Sequence, residues 1–458
     1  MGCCCSVYRR TKSKSHSTVP VSDVLETATV CPLCGLAFSP GDTHRQLNSH
    51  IDHCIRLQPL ISSVHSSPEH FPRKQKKDLI KLSYERKSQY FRKMCNKVRV
   101  PWSQDSQVLV ISRDRLLEDS LNQLESLQAR DYHKEFAVHF EGEEAQDAGG
   151  VFKEWLSVVS AELFRSEKGL FRRAEGEEVR YEVDPKGSDG RVYGFTGKLL
   201  AKALYENVPV NIPLCTPLYR QLAGSRVKLI DLRDMDKDLY ESLLFIKSNP
   251  VADVILNAFT VTNCVGEVVE LKPGGGLETV SEENKLEYVS LRKKWRVEGE
   301  AKAQIAAFLE GFHTVIPEDS LCFFEPGELE LLMCGLPVID VKEWEEYTDY
   351  RGEFTGEHQV IQWFWGVVGS MNQQELSQLL AFSMGTSRLP VEGFRTLKTL
   401  RGESARFTLQ SVIYEESAPF PKAHTCFNRV DLPLYPTRAL LQMHLSTALQ
   451  YCLGFGIE

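Results

Sequence analysis

The run AHTCFNR at 423–429 puts a thiol, Cys426, on a short polar turn with His424 and Thr425 immediately before it and an apolar VDLP stretch soon after. A thiol so flanked on a short polar turn near the end of the chain suits thiolate chemistry better than core packing. A neighbouring imidazole or exposed backbone N–H groups can lower a thiol pKa or orient the sulfur. A Cys beside a His is by itself more often structural than catalytic. No Asp or Glu stands at protease-like spacing around it, so amide hydrolysis, which needs a base and an oxyanion hole, is disfavoured.

The 458 residues allow about three domains of ordinary size. A 42% hydrophobic and 25% charged composition suits a globular protein with a sizeable core, and no run of 18 apolar residues suggests a membrane-spanning helix. The net charge of −8 argues against a dominant nucleic-acid surface, so no nucleic-acid partner is expected. The 13 cysteines fall into an N-terminal triplet, a second small cluster and scattered single positions, a pattern of a reducing compartment rather than of a disulfide framework.

The chain begins MGCCCS, which meets the N-myristoylation consensus at Gly2. One acyl chain holds a protein to a membrane only marginally. Two further signals adjoin it: Cys3, Cys4 and Cys5 as palmitate acceptors, and a basic run of Arg9, Arg10, Lys12 and Lys14 that would face an anionic membrane surface at about 1 kcal/mol per charge. Residues 1–24 are therefore expected to be an acylated basic segment, and the protein cytoplasmic and peripherally membrane-associated. No secretory apolar region follows. Within 28–57, Cys31 and Cys34 are followed by His50 and Cys54, a donor set for tetrahedral structural Zn²⁺ with the second pair one helical turn apart. His53 also neighbours Cys54; His50 is preferred because i and i+4 share a helix face. Residues 58–77, rich in Ser, Pro, His and basic side chains, read as a flexible linker.

Helical signal resumes at Asp78, Val108–Ile111 reads as a strand, and a helix is expected from Asp114. Phe195, Leu199, Leu200, Ala203 and Leu204 form a core-facing helical stripe, and Trp363, Phe364 and Trp365 read as packing residues. The DAGG run at 147–150 lacks the Lys-Ser/Thr of a phosphate loop and reads as a turn.

The segment PKAHTCFNRVDLPLY at 421–435 resembles the catalytic loop of HECT-family ubiquitin ligases, and the likeness extends to the terminal LGFGIE, with Phe455 at the family's aromatic fourth from the end. Further blocks follow the family in order: RLLEDS at 115–120, FEGEE at 140–144 with DAGGV at 147–151, FTGKLLAKALY at 195–205, ENKLEY at 283–288, ELELLMCG at 328–335, QVIQWFW at 359–365 and GTSRLP at 385–390. The resemblance implies an α+β, bilobal HECT domain over 78–458: a mostly helical N-lobe (78–334), a hinge (335–340, GLPVID) and an α/β C-lobe (341–458). It implies a smaller subdomain near 236–300 that receives a ubiquitin-conjugating enzyme through Leu239, Leu243 and Tyr288, positions equally open to a core role. Asn249 stands where some relatives carry an aromatic. The LNSHIDHC segment at 47–54 is similar to the helix of UBZ-type ubiquitin-binding zinc fingers, with Asp52 at the ubiquitin-contacting position and a longer loop before His50.

The activity so implied is transfer of ubiquitin through a thioester on Cys426 to substrate lysines, with His424 and Thr425 positioning the thioester, Asp431 orienting or deprotonating the lysine, and Phe455 steadying the lobes. Asp431 is as readily a loop-capping residue. Catalysis needs no cofactor. The partners are ubiquitin, a conjugating enzyme and protein substrates. The alternative is a catalytically idle, membrane-tethered ubiquitin-binding adaptor, against which the retained nucleophile argues.

Overall fold

The computed structural model describes residues 73–143, 148–176, 178–187, 189–251, 258–397 and 405–453. Gly2, Cys3 to Cys5, the zinc-ligand set Cys31, Cys34, His50 and Cys54, Asp52, and Phe455 lie outside the described residues.

The N-terminal part is mostly helical. It contains α1 (Arg73–Ile80), α2 (Tyr84–Val98), β1 (Ser106–Ile111), α3 (Leu116–Glu125), β2 (Glu135–Phe140), α4 (Ala148–Leu163), β3 (Phe171–Arg173), β4 (Tyr181–Val183), α5 (Gly190–Glu206) and α6 (Thr216–Leu222). It continues through α7 (Lys237–Ser248), β5 (Thr260–Thr262), β6 (Val268–Glu270), α8 (Lys285–Lys294), a π-turn at Trp295–Gly299, α9 (Lys302–Val315) and α10 (Pro326–Cys334). Among the described residues its strands form two-stranded pairs: β1 with β2 in parallel, β3 with β4 and β5 with β6 antiparallel.

Helices α5 and α9 cross at the centre of this part. A Cβ on Gly197 would come within 2.1 Å of the Phe308 carbonyl oxygen, and one on Gly311 within 2.0 Å of the Gly194 carbonyl oxygen. The crossing is close because both helices offer glycine there. The apolar stripe of α5 is buried as its spacing demands, from Leu199 at 0% exposure to Phe195 at 4%. Lys202, on the same helix, is also wholly buried; its ammonium donates to the Tyr132 and Lys134 carbonyls at 3.0 and 2.7 Å and pairs with Glu206, which Arg99 also meets at 2.8 Å. A buried charge on an apolar helix is tolerated because every donor has an acceptor.

Two expectations are corrected here. Residues 73–77 belong to α1, so the helix starts inside the stretch read as linker. Ala148, Gly149 and Gly150 open α4 rather than form a turn, the first turn of a helix tolerating glycine where backbone N–H groups have no intrahelical acceptor.

The C-terminal part has its own core, with Trp344, Ile361, Phe364, Leu379, Phe407 and Leu432 buried together. Its elements are α11 (Val341–Glu346), β7 (Thr348–Arg351), α12 (Gln359–Val368), α13 (Gln373–Met384), β8 (Phe407–Val412), β9 (Lys422–His424), β10 (Arg429–Pro433) and α14 (Arg438–Leu453). The sheet runs β7-β8-β10-β9, the first three parallel and β9 antiparallel to β10. Phe364 and Trp365 are buried in the core and Trp363 packs against its edge.

Between α10 and α11, residues 335–340 are non-helical. Gly335 adopts φ 75° and ψ −171°, and a Cβ there would lie 2.1 Å from the Leu389 carbonyl oxygen, the same oxygen that accepts from the Leu336 N–H at 2.8 Å. Asp340 then N-caps α11, accepting from the Lys342 and Glu343 N–H groups at 2.8 and 3.3 Å.

Candidate active site

Strands β9 and β10 form a hairpin in which Arg429 faces His424, Val430 faces Ala423 and Asp431 faces Lys422. Its loop is a single 3₁₀ turn, Thr425–Phe427, closed by Asn428 at φ 48° and ψ 42°. Asn is one of the few side-chain-bearing residues that enters this left-handed region readily. Asn428 is 2% exposed; its side-chain amide donates to the Ala405 carbonyl at 2.8 Å, and its own carbonyl accepts from the Thr408 N–H at 2.9 Å. These bonds pin the loop to the start of β8.

The result is a thiol at the tip of a pinned turn. Cys426 is partly exposed and Phe427 beside it is 59% exposed. His424 and Thr425 are likewise at intermediate exposure. The His424 imidazole meets Asp431 across the hairpin, Nε2 to Oδ2 at 2.9 Å. The second carboxylate oxygen, Oδ1, lies 3.0 Å from Arg429 Nε, but the pair is not aligned as a hydrogen bond, and both atoms are buried without a hydrogen-bond partner. Asp431 thus fixes the imidazole with one oxygen and pairs electrostatically with the Arg429 guanidinium through the other. Of the site residues expected from sequence, Cys426, His424, Thr425 and Asp431 come together on this hairpin.

Sequence reasoning missed Lys153. It lies on α4 of the N-terminal part, is 7% exposed, and donates from Nζ to the Met384 carbonyl at 3.0 Å and to the Thr425 carbonyl at 3.4 Å. The signal available was a lysine between Phe152 and Trp155, both of which are buried. Asn428 was quoted in the motif without a role; its pairing with Ala405 joins residues 23 apart.

The small subdomain comprises α7, the β5–β6 hairpin and α8. Asp236 caps α7, accepting from the Leu239 N–H at 3.0 Å, and Arg296 in the π-turn holds both Asp236, at 2.8 Å, and the buried Glu182 of β4, at 2.7 Å. Leu239 is half-buried and Tyr288 stands edge-on to Phe259 with ring centroids 5.5 Å apart. Leu243 is 1% exposed and so does not face a partner. Leu243 and Ile246, three residues apart and at 1% and 7% exposure, mark the inward face of α7. The apolar residues that α7 and α8 turn outward are Leu244, Phe245 and Leu286, at 40%, 51% and 59%.

A partly exposed thiol on a pinned hairpin, flanked by a carboxylate-oriented imidazole, is an arrangement suited to nucleophilic chemistry at sulfur. The family model HECT-domain (ubiquitin-transferase) matches residues 157–458. The chain is 35% identical over 355 residues to E3 ubiquitin-protein ligase pub1 of Schizosaccharomyces pombe, covering 76% of this chain and 46% of that protein. It is also 35% identical over 356 residues to E3 ubiquitin-protein ligase RSP5 of Chaetomium thermophilum (76% and 43%), and 33% identical over 385 residues to E3 ubiquitin-protein ligase HUWE1 of Mus musculus (82% and 9%). The chain belongs to the HECT-domain family. It spans less than half the length of each of these relatives.

Proposed function

We propose that this protein is an E3 ubiquitin ligase that carries ubiquitin as a thioester on Cys426. The observation that carries the reading is Cys426 itself, partly exposed at the tip of a hairpin whose flanking imidazole is held by Asp431. In the loading step the Cys426 thiolate attacks the thioester carbonyl of ubiquitin on a conjugating enzyme. A new C–S bond forms to Cys426, the old one breaks, and the conjugating enzyme's sulfur leaves as thiolate. Because one thioester replaces another, the step needs mainly proximity. In the discharge step a substrate lysine amine attacks the same carbonyl. The C–N bond forms, the C–S bond to Cys426 breaks, and the amine loses a proton as the Cys426 thiolate departs. Asp431 is assigned to orienting or deprotonating the lysine, for which its buried Oδ1 would turn out of the 3.0 Å ion pair with Arg429.

Docking of the conjugating enzyme on the small subdomain is assigned to Leu239 and Tyr288 with the outward Leu244, Phe245 and Leu286, Leu243 supporting them from within. Residues 335–340 act as the hinge between lobes, and Phe455 steadies the loaded geometry. Reconstitution with activating enzyme, conjugating enzyme and ubiquitin tests the activity: Cys426→Ala should build no chains, and chain formation at the parental rate would refute it.

Upstream, Gly2 and Cys3 to Cys5 are proposed as acylation sites that tether the protein at the cytoplasmic face of a membrane. The three-thiolate, one-imidazole donor set of Cys31, Cys34, His50 and Cys54 fits structural zinc, and a module so built would offer Asp52 to ubiquitin. Metal analysis of purified protein should give one zinc per chain; none would remove the module.

A further inference from the structure

We propose that Lys153 is a positioning residue that holds the cysteine turn against the N-lobe for the discharge step, an inference that rests on the ligase reading above. Lys153 belongs to α4 of the N-lobe core, and both carbonyls that it engages belong to the C-lobe. One is Met384, the last residue of α13, where helix carbonyls lack intrahelical donors and a cation is favoured. The other is Thr425, the residue bonded to Cys426.

The packing around this ammonium is close. At Gly385, which ends α13 at φ 71°, a Cβ would lie 3.3 Å from Lys153 Cβ and 3.5 Å from Thr425 Cβ. A second contact between lobes, Ser88 Oγ to Glu392 Oε1 at 3.0 Å, involves neither the turn nor α13. Lys153 is therefore placed to set where the turn sits, and not merely that the lobes touch. The wall it anchors the turn to is α4, which packs on α3, β2 and α5 of the N-lobe core, whereas the conjugating enzyme is assigned to α7 and α8. An arrangement that holds Cys426 at the core serves the lysine-attack step rather than loading.

The test separates the two half-reactions in single-turnover assays on the full chain. Loading is followed as transfer from a conjugating enzyme charged with ubiquitin, and discharge by chasing the preformed Cys426 thioester with free lysine. Lys153→Met keeps the aliphatic stem and removes the donor; it should load at the wild-type rate and discharge about tenfold more slowly, the scale of charge-assisted hydrogen bonds lost from a buried site. Lys153→Arg should recover most of the discharge rate, and Ser88→Ala should discharge near wild type. Wild-type discharge by Lys153→Met, equal loss of loading and discharge in both Lys153 variants, or an equal discharge defect in Ser88→Ala would each overturn the assignment. A wild-type chain that never loads would instead sink the ligase reading, and this inference with it.

Discussion

Asn428 offers a quantitative test of how the reactive turn is held. Its replacement by Ala does two things. It places a Cβ without the Asn side chain's local hydrogen bonding at φ 48°, which costs about 1 kcal/mol for an L-residue in the left-handed region. It also removes the 2.8 Å bond to the Ala405 carbonyl, which contributes about 1 kcal/mol. Asn428→Ala should therefore destabilise the C-lobe by about 2 kcal/mol. Asn428→Gly removes the same hydrogen bond but adopts the left-handed conformation freely, so it should cost only about 1 kcal/mol, the hydrogen-bond share. Urea denaturation of the three proteins, followed by Trp fluorescence, gives the difference directly, and thioester loading measures the effect on Cys426. Because the distortion falls two residues from the thiol, Ala should also load more slowly than Gly. Equal destabilisation by Ala and Gly would refute the conformational part of the reasoning, and two unperturbed variants would show that the turn is held by other contacts.

Gly335→Ala should destabilise by about 2 kcal/mol, since φ 75° with ψ −171° is open essentially to glycine alone and the added Cβ meets the Leu389 carbonyl; an unchanged melting temperature would contradict this. The half-buried His133 donates from Nε2 to the Val315 carbonyl at 3.2 Å, and burial, with Lys202 and Arg99 nearby, holds its imidazole below the usual histidine range. Below about pH 6.5 the unfolded chain binds a proton that the folded one refuses, so stability should fall as pH drops from that value, and His133→Gln should flatten the slope; an identical slope in the variant would remove the assignment. Gly2→Ala should release the protein from membranes to the cytosol, because acylation at Cys3 to Cys5 follows the transient contact that myristate provides; fractionation that leaves the variant fully membrane-bound would rule this out.

Local pattern made the reactive hairpin legible. Cys426, its flanking His424 and Thr425, and Asp431 seven residues beyond the imidazole all lie within one short stretch, and strand pairing over so small a loop brings them together. The apolar stripe of α5 was legible for the same reason, its period of 3.6 being written into consecutive turns. Lys153 was not. Its acceptors are 231 and 272 residues away, and nothing in the neighbourhood of a helix codes for which distant carbonyl will end above it. Leu243 shows a subtler failure: an apolar residue on a two-sided helix is equally at home inward or outward, and one step along α7 separates the buried Leu243 from the exposed Leu244. The helical start at Arg73 was hidden by composition, since a basic stretch reads as linker until the following turn contributes Leu79, at 1% exposure.

The most direct test of the central claim is to trap the Cys426 adduct. The 458-residue protein incubated with activating enzyme, a panel of charged conjugating enzymes and ubiquitin is resolved on a non-reducing gel and by intact mass. A single ubiquitin should appear on the wild type and vanish on reduction, be absent from Cys426→Ala, and persist through reduction as an oxygen ester on Cys426→Ser. A thiol-sensitive ubiquitin adduct of equal yield on Cys426→Ala, or no adduct on the wild type with any conjugating enzyme, would contradict thioester transfer through Cys426.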